Sequence, residues 1–113
     1  MRIPKADAVI IAKEKITDYL LNPDHPDGAS KAVFFEAFGF SASAWETLAA
    51  ALKRIGQENP VNAVASVHGR KYIVDGPLQT PSGRIVRVRT VWIIDDETET
   101  PRLVTAYPRD KVS

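Results

Sequence analysis

The sequence contains no cysteine, so it has no disulfide framework, no thiol nucleophile and no Cys-ligated zinc. Histidine is almost as scarce. Two residues, His25 and His68, make a poor metal site by themselves. An excess of either charge is missing too: 15 Lys and Arg stand against 14 Asp and Glu, a formal net charge of +1. Overall charge is therefore silent on nucleic acid, and only a clustered basic patch would speak for it. No apolar run approaches the roughly 20 residues needed to cross a bilayer. Met1-Arg-Ile-Pro-Lys5 has no apolar signal core. Repeats and low-complexity tracts are absent. These absences lead to the expectation of a soluble, cytoplasmic protein with no membrane partner and no cofactor.

What is present is a mixed pattern of ordinary richness. Hydrophobic residues make up 44% of 113 positions, enough for one modest core and too many for a disordered chain. We read one domain over 1–113, helical over about 1–58 and sheet over about 59–113. Lys13 to Leu21 predicts a helix, with Ile16, Tyr19 and Leu20 on one stripe. Asn22-Pro-Asp-His-Pro-Asp-Gly28 forbids helix, because its prolines remove donors and bias their predecessors to extended backbone. Ser30 to Phe38 predicts a second helix with Val33, Phe34, Ala37 and Phe38 inward, closed by Gly39. Ser43-Ala-Trp-Glu46 has capping-box spacing. It opens a third helix to about Ile55, which Gly56 would stop. Trp45 and Trp92 read as core.

The period then changes from helical to alternating. Val64 to Val74 is β-prone around His68-Gly69. Gly76-Pro77 and Pro81-Ser-Gly83 read as turns. Arg84 to Ile94 is the strongest strand, and Arg102 to Tyr107 is the last. The acidic stretch between them, Asp95 to Thr100, reads as a solvated hairpin connection in preference to a cation site. Helices first and antiparallel strands after give an α+β fold. The N-terminal helices pack on one face of a C-terminal antiparallel sheet of about four strands.

The other face is where chemistry is expected. Strand alternation puts Arg87 and Arg89 on one side of their strand, and Thr105 and Tyr107 on one side of theirs. If the strands pair, guanidinium groups and hydroxyls share a surface suited to a phosphodiester. Lys71 is a further basic candidate on the strand before. His25, in the Pro-rich loop, is a candidate acid or base, since imidazole titrates near neutrality. It is equally a loop or helix-positioning histidine. Lys31 opens the second helix, where a cation opposes the macrodipole, and is a candidate phosphate ligand. His68 is a weaker acid–base candidate. Pro81-Ser-Gly83 lacks the Gly-Lys-Ser ending of a phosphate loop.

The segments Tyr19-Leu-Leu-Asn-Pro-Asp-His-Pro-Asp-Gly28, Ser30-Lys-Ala-Val-Phe-Phe35, Gly69-Arg-Lys-Tyr72, Thr90-Val-Trp-Ile93 and Val104-Thr-Ala-Tyr-Pro108 together carry a resemblance. It is to a small family of uncharacterised bacterial domains, found alone and as C-terminal parts of toxin-like proteins. The closing Val-Thr-Ala-Tyr-Pro also resembles the last strand of some contact-dependent and polymorphic toxin nucleases. Those belong to the superfamily of barnase, the EndoU nucleases, colicin D and RelE. The first resemblance brings no activity. The second implies metal-independent RNA cleavage in a bacterial toxin–antitoxin or polymorphic-toxin system. His25, Lys31, Thr105 and Tyr107 would be catalytic, Lys71, Arg87 and Arg89 would contact RNA, and a small antitoxin would be the protein partner. Two other classes stand beside it: a non-catalytic binding module of the antitoxin, immunity or docking kind, and a non-nuclease enzyme using the same cleft.

Overall fold

In the computed structural model, residues 1–66, 70–95 and 97–109 are described. Among the described residues, three main helical segments and two single 3-10 turns, Ala6–Ala8 and Ala42–Ala44, precede the sheet. The first of the three is a single turn, α1 (Lys13–Lys15), which widens into a π-turn over Ile16–Leu20. Then follow α2 (Ala29–Ala37) and α3 (Trp45–Glu58). Four strands follow: β1 (Ala63–Ser66), β2 (Arg70–Gln79), β3 (Ile85–Ile94) and β4 (Arg102–Pro108). They form an antiparallel meander in the order β1-β2-β3-β4. The α+β architecture with helices before the sheet is the one expected from the pattern.

The helices cover one sheet face. Ile16, Leu20, Phe35, Leu48, Leu52 and Ile55 meet Val74, Leu78, Val88, Trp92, Ile94 and Ala106 in one core cluster. Trp92 is fully buried, and its Nε1–H donates to Thr90 Oγ1 (2.7 Å), which itself donates to the carbonyl of Val74 (2.8 Å). The relay satisfies two polar side chains that would otherwise be costly inside. Trp45, expected in the core, is only half-buried.

Several boundaries differ from the sequence reading, each for a physical reason. Gly56 does not stop α3. It is buried inside the helix, where a Cβ would lie 2.6 Å from the Trp92 ring. The glycine is there for close approach, not for termination. Gly76-Pro77 is not a turn but lies within β2, because β1 pairs only with Arg70 to Ile73. Beyond that point β2 is an edge on that side, where proline loses no ladder bond. The α2 face is rotated: Ala32 and Phe35 are buried while Val33 is 67% exposed. Ala37 is exposed as well. No side-chain hydrogen bond caps α3, and Ser43 instead meets Ser41. His68 and Gly69 lie outside the described residues.

The first twelve residues form a strap. Ile3 and Val9 are buried in the core. Ile10 makes a parallel bridge to Arg102 at the outer edge of β4, its N–H donating to Pro101 O and its carbonyl accepting from Leu103 N–H. Arg2 and Ala6 are tied to Gln57 near the end of α3, and Met1 O accepts from Val61 N–H.

Candidate functional site

The β3–β4 register fixes what the uncovered face displays. Arg89 lies opposite Tyr107 and Val91 opposite Thr105, while Arg89 also faces Asp75 on β2. Arg87 and Lys71 share this face, one row beyond Arg89 and two rows beyond Asp75 respectively. Between Val91 and Trp92 the pairing slips by one residue, so Val104 is an extra residue in β4. That bulge lets Leu103 and Ala106 both reach the core while Thr105 and Tyr107 stay on the other side.

Asp75 organises the centre of the surface. Arg89 donates to it from Nε (2.8 Å) and Nη2 (3.0 Å), a bidentate fork. Arg109 reaches the same carboxylate at 3.4 Å. The Asp75 side chain is 6% exposed. The hydrogen bonds from Arg89 hold its carboxyl below the usual carboxylate range, against a smaller opposing effect of burial and with help from the charges of Arg89 and Arg109. Arg89 is pushed above the ordinary arginine value, chiefly by its bonds to Asp75 and further by nearby Tyr107.

A second cluster forms where the helical layer meets the edge of β4. The Tyr19 hydroxyl lies 2.9 Å from Thr105 Oγ1. Lys15 Nζ and Lys31 Nζ stand 5.3 and 5.4 Å from the centroid of the Tyr19 ring, within cation–π range. His25 meets the same ring edge-on at 5.0 Å. Two local features build this arrangement. Tyr19 sits in the π-turn, a geometry found often at functional sites. Gly28 then lets the loop close onto Tyr19, since a Cβ there would lie 2.1 Å from the Tyr19 carbonyl oxygen.

The structure thus brings His25, Lys31 and Thr105 together around Tyr19. It brings Arg89 and Tyr107 together around Asp75, and β4 joins the two groups. Lys71 lies farther along β2, away from both clusters. His25 Nδ1 accepts N–H bonds from Asp27 (3.0 Å) and Gly28 (3.1 Å), so Nε2 is the nitrogen left for a ligand. Lys31 Nζ donates to the carbonyl of Asp27 (3.0 Å). Of the acidic stretch, Asp95 is paired with Arg102 and Glu99 with Lys5. Among the described residues no group of three His, Asp or Glu side chains gathers to hold a metal ion. No described helix is long and apolar enough to cross a membrane.

Four residues of these clusters escape sequence reasoning: Lys15, Tyr19, Asp75 and Arg109. Tyr19 reads as core because it falls on the apolar stripe of the helix expected over Lys13 to Leu21. Asp75 was recoverable from the hairpin. The loop centred on Ser82 sets Asp75 seven residues before it and Arg89 seven after, hence opposite one another.

Residues 2–110 match the family described as a domain of unknown function, DUF6883. The chain belongs to that family. No curated protein sequence matches it. Among solved structures it is similar to a chain of the contact-dependent growth inhibition toxin–immunity protein complex from Klebsiella pneumoniae 342. The TM-score is 0.73 at 13% identity, covering 94% of this chain and 97% of that one. The similarity extends over essentially the whole of both chains and establishes a shared fold.

Proposed function

We propose that this protein is the toxin component of a bacterial toxin–immunity pair and acts as a metal-independent endoribonuclease. The observation that carries the reading is the convergence of two cation clusters and two strand hydroxyls, Thr105 and Tyr107, along β4. Its likeness in fold to a chain of a toxin–immunity complex supports the toxin context. In such a reaction the RNA 2′-oxygen attacks phosphorus, the P–O5′ bond breaks, and a 2′,3′-cyclic phosphate forms. The 2′-hydroxyl proton is taken up by the protein and the leaving 5′-oxygen is protonated. We assign Tyr107 to a proton relay: its hydroxyl takes the 2′-hydroxyl proton as it passes its own to a phosphate oxygen, from which the leaving 5′-oxygen is protonated, while Thr105 orients that phosphate. Lys31, Arg87 and Arg89 would offset the extra negative charge. His25 would donate from Nε2.

The test is inducible expression in a bacterial host, wild type beside a Lys31→Ala/Tyr107→Phe double variant, with total RNA examined. Growth arrest with cleaved RNA is expected from the wild type. The folded double variant should lose about 100-fold or more of the cleavage, the usual scale for removing acid–base groups. Purified wild type should cut RNA in the presence of a chelator. Uncut RNA from wild type would overturn the reading.

A second reading, a partner-binding module, is favoured by one observation. Arg89 and His25 Nδ1 already have partners within the chain. Groups so engaged serve architecture as well as catalysis. Intact RNA together with tight binding to the product of a neighbouring gene would select this reading.

A further inference from the structure

The two clusters resemble each other in charge and lie side by side. Around Tyr19, Lys15 and Lys31 bring two positive charges, and among the described residues neither forms an ion pair. Around Asp75, Arg89 and Arg109 bring two against one carboxylate, and Arg87 stands one row further along β3. Each cluster concentrates like charge that a bound anion would relieve. Each also presents a hydroxyl from β4, Thr105 in the first and Tyr107 in the second.

Thr105 and Tyr107 are two residues apart on one face of a strand, so they are separated by about 6.6 Å along it. This is the order of the spacing between successive phosphates in an extended single strand. The Asp75 fork matters to such a surface. It fixes Arg89 in advance, so that less side-chain freedom is lost when an anion arrives, and it leaves the third guanidinium nitrogen, Nη1, outside the fork.

We infer that these clusters are adjacent subsites for consecutive phosphates of single-stranded RNA, one at Tyr19, Lys15 and Lys31, the other at Tyr107, Arg89 and Arg109. The inference rests on the nuclease reading above and narrows its substrate to a strand with at least two phosphates. A single strand also leaves a base able to stack on an aromatic ring such as Tyr107.

Salt dependence of binding tests it without relying on turnover. The probe is a 2′-O-methyl oligouridylate, which has no 2′-hydroxyl to attack and stays intact on the wild-type protein. For single strands each neutralised phosphate contributes about 0.7 to the slope of log affinity against log salt. Lys15→Ala and Arg109→Ala, each checked for folding by thermal melting, are expected to lower the slope by about 0.7 apiece, and by about 1.4 together. Uridine 3′-monophosphate should respond to no more than one of them. A slope altered by only one variant, or by neither, overturns the pair of subsites. Cleavage of ordinary RNA by wild type separates the two readings. RNA cut with unchanged slopes removes the subsites and keeps the nuclease. Slopes that fall as expected with RNA uncut remove the nuclease and keep the phosphate surface.

Discussion

Asp75 occupies the face that an antiparallel sheet commonly leaves wet, yet its carboxylate is nearly enclosed by two arginines. Replacing it with Asn keeps the size and removes the charge that Arg89 and Arg109 share. Asp75→Asn is expected to cost about 1.5–3 kcal/mol at pH 7, the range for hydrogen bonds to charged groups. The pH dependence has a definite sign. Asp75 is held below the usual carboxylate range, so its stabilisation is complete above that range and is lost as pH falls through the lowered folded value. Urea unfolding of both proteins from pH 7 down to pH 2 should therefore show the gap between them closing towards acid. A gap that stays constant would mean that shape, not charge, holds Asp75 in place.

Among the elements, α3 separates what packing requires from what pattern suggests. Gly56→Ala would drive a methyl into the Trp92 ring, and overpacking of this kind costs about 1–3 kcal/mol. Ser43→Ala should stay within about 0.5 kcal/mol, because Ser43 makes no cap bond whose loss would cost about 1. Urea midpoints of the two variants check both statements. The same contrast shows what was legible in the chain. Periodicity gave the helices, β3 and β4, since apolar residues repeat at 3.6 or 2 wherever one face meets a core. Arg87 and Arg89 on the uncovered face, and Tyr107 beside Arg89, follow from alternation plus pairing. Glycine and proline were harder, because the same residue that ends an element also permits close approach or occupies a strand edge. Reading Gly76-Pro77 as a turn hid the register that sets Asp75 opposite Arg89. Tyr19 escaped because an apolar stripe cannot show that one of its members turns a hydroxyl towards a distant strand.

Across the whole molecule, the strap of residues 1–12 links the end of α3 to the outer edge of β4. Deleting it uncovers the sites of Ile3 and Val9, each worth about 1.5–3 kcal/mol when fully buried. It also bares the backbone of Pro101 and Leu103 along an edge strand, a template for pairing between molecules. The truncated protein is expected to melt at lower temperature and to aggregate with rising concentration, measured by calorimetry and light scattering. An unchanged melt would show that helices and sheet hold together without it. The strap has a mechanical consequence as well. A load applied at residue 1 is borne first by the hydrogen bonds of Met1, Arg2 and Ala6 to Val61 and Gln57, then by the buried Ile3 and Val9 and the parallel bridge at Ile10, long before it reaches the β2–β3 ladder. Under tension the chain yields there, and β4, the strand bearing Thr105 and Tyr107, is the first to lose its support. Pulling from that end would disarm the surface while most of the core still stands.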